Sequence, residues 1–382
     1  MKIIDVKTHI LSTELEQPFA FSQGWVDRRV AMIVEIKTDE GITGWGESIN
    51  HGLQPPELSA SVVEHALKPI ILGKSPFDVE VLWETMYNST RPFGQKGVVL
   101  YAISAIDIAL WDIIGKAFKK PVHQLLGGAF RKEIEAYATG FYRTKNGNYP
   151  QDVVEEALRH KENGYKGMKL KTGFGIKEDI EDMVAVREAV GEDIKLMMDA
   201  NCAYNVPAAR RIIKELEHIK VHWFEEPISP EDIDGYCELK NLSSMYIAAG
   251  ENEASKIGFR DWISRKAVDV LQPDLGSAGG FTECKKIAAL AQAWQMTLIP
   301  HVWGTGIGLA AAVQFIATLP PQPLSLHPIE PMLEYDQSSH PFRQELINGA
   351  LNLNRQGMVE VSDLPGIGVE IDQTVIEKYK VN

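Results

Sequence analysis

At 382 residues, with 45% hydrophobic, 24% charged and 8% aromatic side chains, the chain has the make-up of a folded protein with a large core, which excludes the disordered and fibrous classes. Its formal net charge of −13 disfavours nucleic acid or an anionic membrane surface as a partner, because the far field repels phosphate, so an anionic substrate would have to be drawn in by local lysines. No stretch approaches the roughly 18 uncharged apolar residues that span a bilayer, and Met1-Lys-Ile-Ile-Asp-Val-Lys lacks a long apolar leader, so a cytoplasmic protein with no membrane partner is expected.

Residues 1–125 read as one α+β unit. Two β-rich runs, Ile3 to Leu11 and Ala31 to Lys37, are joined by a loop from Pro18 to Val26 and followed by helical patterns. In the last of these, Ile103, Ile106, Leu110 and Ile113 repeat at helix spacing, which predicts a helix packed against a larger body.

A second unit, 126–334, has a different texture: short apolar runs that end in a polar residue, each followed by an amphipathic helical segment. The closing residues stand at 171, 199, 225, 251, 274 and 301, that is, 23 to 28 apart. One strand, one helix and two short loops need about that many residues, so a βα repeat wound into a barrel is the economical reading. An open doubly wound sheet also alternates strands and helices, but no GxGxxG or GxxxxGK[ST] follows an early strand, which weakens a nucleotide-binding reading. Residues 335–382 end in Leu364-Pro-Gly-Ile-Gly-Val-Glu-Ile, a turn and short strand predicted to return to the N-terminal unit. Cys202, Cys237 and Cys284 are an odd number without CxxC spacing and read as reduced thiols.

In a barrel, the residues that close the strands meet at one rim. Asp199, Glu225 and Glu251 would then crowd three carboxylates around a point, which is tolerable only with a cation among them. Oxygen-only ligation favours Mg²⁺ over zinc. Lys169 and Lys171 share one strand face, opposite Met168 and Leu170, and should point into the barrel mouth. There burial, the paired ammonium and the metal would lower a lysine pKa enough to make a base.

Asp274 and His301 end the next two strands, and a carboxylate on one ring nitrogen would fix the tautomer of an acid or base at the other. Glu330, in His327-Pro-Ile-Glu-Pro, is expected to end the following strand, where a protonated carboxyl could donate to a substrate carboxylate. Trp25, His51 and Arg91 from the capping region, with Asn201 and Trp303 beside the strand ends, are the expected substrate contacts.

Lys169-x-Lys171, the series Asp199, Glu225 and Glu251, the Asp274 and His301 pair, and Glu330 together resemble the enolase superfamily in its mandelate racemase subgroup, over essentially the whole chain. The resemblance implies a (β/α)7β modified TIM barrel, capped by a domain formed from the N-terminal region and the C-terminal tail, with loops such as Pro18 to Val26 closing over substrate. It also implies one Mg²⁺ per subunit, an enediolate intermediate and a homo-oligomer. Tyr137-Ala-Thr-Gly, Leu271-Gln-Pro-Asp-Leu, Pro300-His-Val-Trp-Gly-Thr-Gly and Pro328-Ile-Glu-Pro-Met-Leu-Glu-Tyr-Asp are similar to galactarolactone and 3,6-anhydrogalactonate cycloisomerases. A cyclic sugar acid would then be opened by β-elimination to a 2-keto-3-deoxy acid. Dehydration of an open-chain acid sugar and racemisation would use the same site, and a non-catalytic sugar-acid binding protein or a Schiff-base aldolase are the competing classes.

Overall fold

The computed structural model describes residues 1–50 and 52–381. Its cap opens with β1 (Ile3–Phe21), β2 (Gly24–Thr38) and β3 (Thr43–Ser48), paired antiparallel. The stretch expected as a loop from Pro18 to Val26 is mostly strand. Phe19, Ala20 and Phe21 pair with Val26, Trp25 and Gly24, leaving Ser22-Gln23 as the turn of a hairpin. Aromatic side chains in alternation favour that pairing, and Phe19 and Val26 are buried by it.

The long helix is Val98–Phe118, and it lies flat on β3. The strand sequence Gly44-Trp-Gly-Glu explains the fit. A Cβ on Gly46 would come 1.9 Å from the Ala105 carbonyl oxygen and one on Gly44 would come 2.2 Å from that of Ala109, so backbone meets backbone only because both residues lack side chains. Gly46→Ala is therefore expected to destabilise the protein by about 1–3 kcal/mol, read by urea denaturation, as overpacking does. The helix is long and apolar enough by composition to cross a bilayer, contrary to the expectation from its charges, but it is a core element. Its buried Asp112 accepts from the backbone N–H groups of Trp45 and Ile367, both at 3.0 Å, and from Lys116 Nζ at 2.6 Å.

The barrel follows. Its strands are β4 (Glu133–Gly140), β6 (Gly167–Lys171), β7 (Lys195–Asp199), β8 (Trp223–Glu225), β9 (Tyr246–Ala249), β10 (Val270–Leu271), β11 (Thr297–Leu298) and β12 (Leu333–Asp336), while the short β5 (Arg143–Thr144) pairs with β1 of the cap. All eight barrel strands are parallel, in the order β11-β10-β9-β8-β7-β6-β4-β12. The last strand thus returns beside the first. Helices Gln151–Glu162, Ile176–Val190, Val206–Leu216, Ile233–Leu242, Ser255–Ser264, Gly280–Ala293 and Gly306–Ala317 fill the intervals, the (β/α)7β arrangement. The tail adds β13 (Met358–Glu360), antiparallel to β4. The expected strand near Ile367 is only a bridge between Gly366 and Pro121, and Lys380 bridges to Leu11 in β1.

Strand periodicity positions the site. Met168, Leu170, Leu196, Met198, Phe224, Ile247 and Leu271 face outward into the core beneath the helices. Tyr137, Met197, Trp223, Ala248, Val270, Ile299 and Met332 face inward and plug the barrel axis. Two residues further along, on the same inward face and one layer nearer the C-terminal rim, stand Thr139, Asp199, Glu225, Gln272, His301 and Glu334. An apolar floor thus carries a polar layer.

Candidate active site

The polar layer is dense in charge. Carboxylate oxygens of Asp199, Glu225 and Glu251 all lie within 4.8 Å of one another, and all three side chains are buried. Glu225 is held by Trp223 Nε1 at 3.0 Å and Gln272 Nε2 at 2.7 Å, and Asp199 accepts from the Asn201 backbone N–H at 2.9 Å. Glu251 Oε2 is buried without a hydrogen-bond partner, although His301 Nε2 stands 3.3 Å away. An orphaned carboxylate oxygen beside two more carboxylates is a hard-cation donor set, so the trio fits a divalent metal.

Lys169 and Lys171 enter this layer together from β6. Lys169 Nζ pairs with Glu225 Oε1, with Glu334 Oε1 at 2.7 Å and with Asp199 Oδ2 at 3.6 Å. Lys171 Nζ donates to Asp199 Oδ2 at 2.5 Å and to Asn201 Oδ1 at 3.0 Å. Burial works against both ammonium groups, but the surrounding carboxylates, Glu225 foremost for Lys169 and Asp199 for Lys171, outweigh it and hold both above the usual lysine range. The expected lowering counted burial, the paired ammonium and a bound metal, whereas the protein's own buried carboxylates facing the pair act in the opposite direction.

Across the ring, His301 Nδ1 lies 2.8 Å from Asp274 Oδ2, and Asp274 Oδ1 accepts from the Gly276 N–H at 2.6 Å. Burial disfavours the imidazolium, but Glu251, Glu334 and Asp274 overcome it and push His301 up to about 10. Along the ladder His301 follows a strand five places from that of Lys171, and the Val302 N–H, donating to Glu334 in β12 at 3.1 Å, links it back past β12 and β4. Lys171 and His301 line one cavity with Glu251 and Asn201.

Glu330 falls elsewhere and is corrected. Its half-exposed carboxylate pairs with Arg131, just before β4, and it lines a cleft with Lys195 and Thr297, the first residues of β7 and β11. That is the opposite rim. Pro328 and Pro331 cannot donate to a ladder, so the strand begins only after them. The acid the sequence reading missed is Glu334 in β12, which accepts from Lys169, from Thr139 Oγ1 at 2.6 Å and from the Val302 N–H at 3.1 Å. Burial raises its pKa, but Lys169 and then His301 bring it down to about 2.

Of the expected substrate contacts, Asn201 and Trp303 line the cavity. Trp25 is exposed on the hairpin with Lys145 Nζ 5.8 Å from its ring, and Arg91 stacks on Tyr87 at the exposed end of its own helix. Neither lines the cavity, and His51 lies outside the described residues. The cap contributes Phe21, Gln23, Leu53 and Gln54 instead. The hairpin turn reaches the barrel directly: Ser22 Oγ donates to the Ala200 carbonyl at 2.8 Å and Gln23 Nε2 to that of Asn201 at 2.9 Å.

Residues 3–127 match the mandelate racemase / muconate lactonizing enzyme N-terminal domain, and residues 152–375 match the enolase C-terminal domain-like family. The chain belongs to the enolase superfamily, in its mandelate racemase subgroup. It is 40% identical over 381 residues to the D-galactarolactone cycloisomerase of Agrobacterium fabrum, covering 100% of this chain and 99% of the relative. It is 35% identical over 347 residues to the arabinonate dehydratase of Saccharolobus solfataricus, covering 91% and 89%. Among solved structures, the 3,6-anhydro-D-galactonate cycloisomerase of Zobellia galactanivorans superposes with a TM-score of 0.90 at 38% identity, with both chains covered completely. These superfamily relatives are cycloisomerases and acid-sugar dehydratases.

Proposed function

We propose that this enzyme opens a cyclic sugar acid, a hexarolactone or an anhydro-aldonate, by removing the proton α to its carboxylate and expelling the ring oxygen from the β-carbon. The carrying observation is that Lys171 and His301 line one cavity beside a buried trio of carboxylates. Asp199, Glu225 and Glu251 would hold Mg²⁺, which when bound supplies positive charge opposite the substrate carboxylate.

This chain's residues do the rest. Lys171 or His301, whichever faces the α-hydrogen, takes the proton in its unprotonated form, which a cation neutralising the neighbouring carboxylates would favour, and the C–H electron pair forms the enediolate. Lys169 offers fixed positive charge beneath the developing anion. A substrate carboxylate arriving against Glu334 favours that residue's protonated form, which can then donate to an enediolate oxygen. Collapse of the enediolate breaks the β C–O bond, expelling a carboxylate from a lactone, or from an anhydro-aldonate an alkoxide that then takes a proton, and the enol so formed tautomerises to the 2-keto-3-deoxy acid. The similarity to both cycloisomerases and a dehydratase supports acid sugars as the substrate class, with loss of hydroxide from an open-chain aldonate as the second reading.

The test is proton NMR in deuterium oxide with Mg²⁺, using D-galactarolactone, 3,6-anhydro-D-galactonate and D-arabinonate. Loss of the α-proton signal with growth of a deoxy methylene from a cyclic acid supports the proposal, consumption of the aldonate alone supports dehydration, and inert spectra for all three overturn both.

Stripping divalent metal with EDTA is expected to lower turnover by about 10²-fold or more, with recovery on adding Mg²⁺. Metal binding should also release protons. Burial first, and then Asp199, raise Glu225 to about 7, while Glu251 foremost, with Glu334 and Asp274, holds His301 at about 10. A cation held by Asp199, Glu225 and Glu251 would lower both, so apparent Mg²⁺ affinity should climb as pH rises from about 7 towards 10. Calorimetry in buffers of different ionisation enthalpy measures it, and an affinity independent of pH over that range would contradict the assignment.

A further inference from the structure

The Gly44-Trp-Gly-Glu strand does more than seat the long helix. With Gly44 and Gly46 against that helix, the two-residue period turns Trp45 and Glu47 to the other face, towards the barrel rim. Glu47 is buried there, 3% exposed. Its Oε1 accepts from the Thr305 N–H at 2.7 Å, and its Oε2 accepts from Thr305 Oγ1 at 2.6 Å and the Gly308 N–H at 2.7 Å. The chain from His301 to Gly308 is wrapped closely around this carboxylate: a Cβ on Gly304 would come 2.6 Å from Glu47 Oε1 and one on Gly308 would come 3.0 Å from Oε2. Just beyond the strand, the Ile49 N–H donates to the Gly276 carbonyl at 3.1 Å, and Gly276 in turn donates its own N–H to Asp274. One cap strand therefore grips both loops that carry the imidazole and its carboxylate.

We propose that Glu47 is a positioning residue for His301: from the cap, it fixes the loop that aims the imidazole into the cavity, and it has no corresponding hold on the strand that carries Lys171. From inside the barrel the loop is held at its start, where the Val302 N–H donates to Glu334 at 3.1 Å and Asp274 pairs with His301 Nδ1 at 2.8 Å, and Glu47 holds the rest from the cap. Residues 301 to 305 include a glycine and precede a helix whose first N–H groups need acceptors, and Glu47 supplies two of them from outside the barrel. Catalytic groups lose efficiency steeply when displaced by about an ångström, so an acceptor that pins the loop acts on the rate rather than on binding. The catalytic part of this inference rests on the reaction proposed above, while the structural part does not.

The experiment compares Glu47→Ala, Glu47→Gln and Thr305→Val in the whole protein. Without substrate, hydrogen–deuterium exchange read by mass spectrometry should show the amides of 302–308 exchanging about tenfold faster in Glu47→Ala, as expected for lost hydrogen bonds, while segments 167–172 and 195–201 keep their native rates. Thr305→Val, which removes the hydroxyl that donates to Glu47 and accepts from the Ile307 N–H but leaves both backbone donors to Glu47, should move the same segment less. With D-galactarolactone and Mg²⁺, kcat should fall about tenfold in Glu47→Ala while KM stays within about twofold, and Glu47→Gln, which keeps one carbonyl acceptor but turns an amide donor towards the remaining N–H, should lose less. Unchanged exchange at 302–308, equal acceleration throughout the barrel, or a raised KM at native kcat would each overturn the proposal. If the native enzyme turns over no acid sugar, the reaction assignment fails, and the exchange pattern still decides the role of Glu47. If Glu47→Ala does not fold, native exchange at 302–308 in both Glu47→Gln and Thr305→Val would equally overturn it.

Discussion

Lys171→Ala and His301→Asn are each expected to lower kcat for D-galactarolactone by about 10²–10⁴-fold, the range for losing a positioned acid or base. The two variants should fail differently. The one lacking the abstracting base should also lose α-proton exchange in deuterium oxide. The other can still exchange that proton while failing to complete the elimination. Stability is the competing explanation, because breaking a buried ion pair costs about 3–5 kcal/mol when the remaining charge is left alone. Here it is not left alone: without Lys171, Asp199 keeps Lys169 Nζ at 3.6 Å and the Asn201 N–H at 2.9 Å. His301→Asn leaves Asp274 with its Gly276 donor at 2.6 Å. Both variants should therefore melt as a single cooperative transition near the native temperature in the presence of Mg²⁺. Native rates in both would remove Lys171 and His301 from the chemistry.

The same residues show what could be read from sequence. The barrel was legible because apolar runs closed by polar residues recur at 23 to 28 residues, and that spacing has few structural solutions. The metal trio and the lysine pair were legible because each sits at or just past a strand end, where direction is fixed by the two-residue period. Substrate contacts were not. Trp25 and Arg91 were chosen by residue type in a capping region, and nothing in local sequence says which way a hairpin or a helix end faces once it docks on another domain. The hairpin itself was misread as a loop because Pro18 and Gly24 are turn residues, and the pairing of Phe19 with Val26 outweighed them. Glu47 was invisible for a related reason: its partners, Thr305 and Gly308, lie some 260 residues away. Glu330 was a different kind of error, since its own sequence carried the warning in two flanking prolines. A better rule was available in the floor of the barrel. Six of the seven inward apolar residues, all but Ala248, are followed two positions later by a polar one, as in Met197 and Asp199 or Trp223 and Glu225, and Met332 then points to Glu334.

That rule yields the second strong expectation: Glu334→Gln should lower kcat/KM by about 10²–10³-fold, whereas Glu330→Gln should leave it within about twofold. Glu334 touches Lys169 at 2.7 Å, Thr139 at 2.6 Å and the Val302 N–H at 3.1 Å, so the amide replacement keeps an acceptor but removes a charge from the centre of the layer. Two consequences follow from that missing charge. Lys169 loses one of the carboxylates that hold its pKa up, and Glu334 itself can no longer change protonation state when a substrate anion arrives. Glu330 has no such neighbours. Among the described residues its charge partner is Arg131, at the start of the barrel, and its own carboxylate is half-exposed. Measuring kcat/KM for the two variants side by side with saturating Mg²⁺ separates the two assignments. A severe loss in Glu330→Gln with native behaviour in Glu334→Gln would mean that the reaction takes place at the other rim.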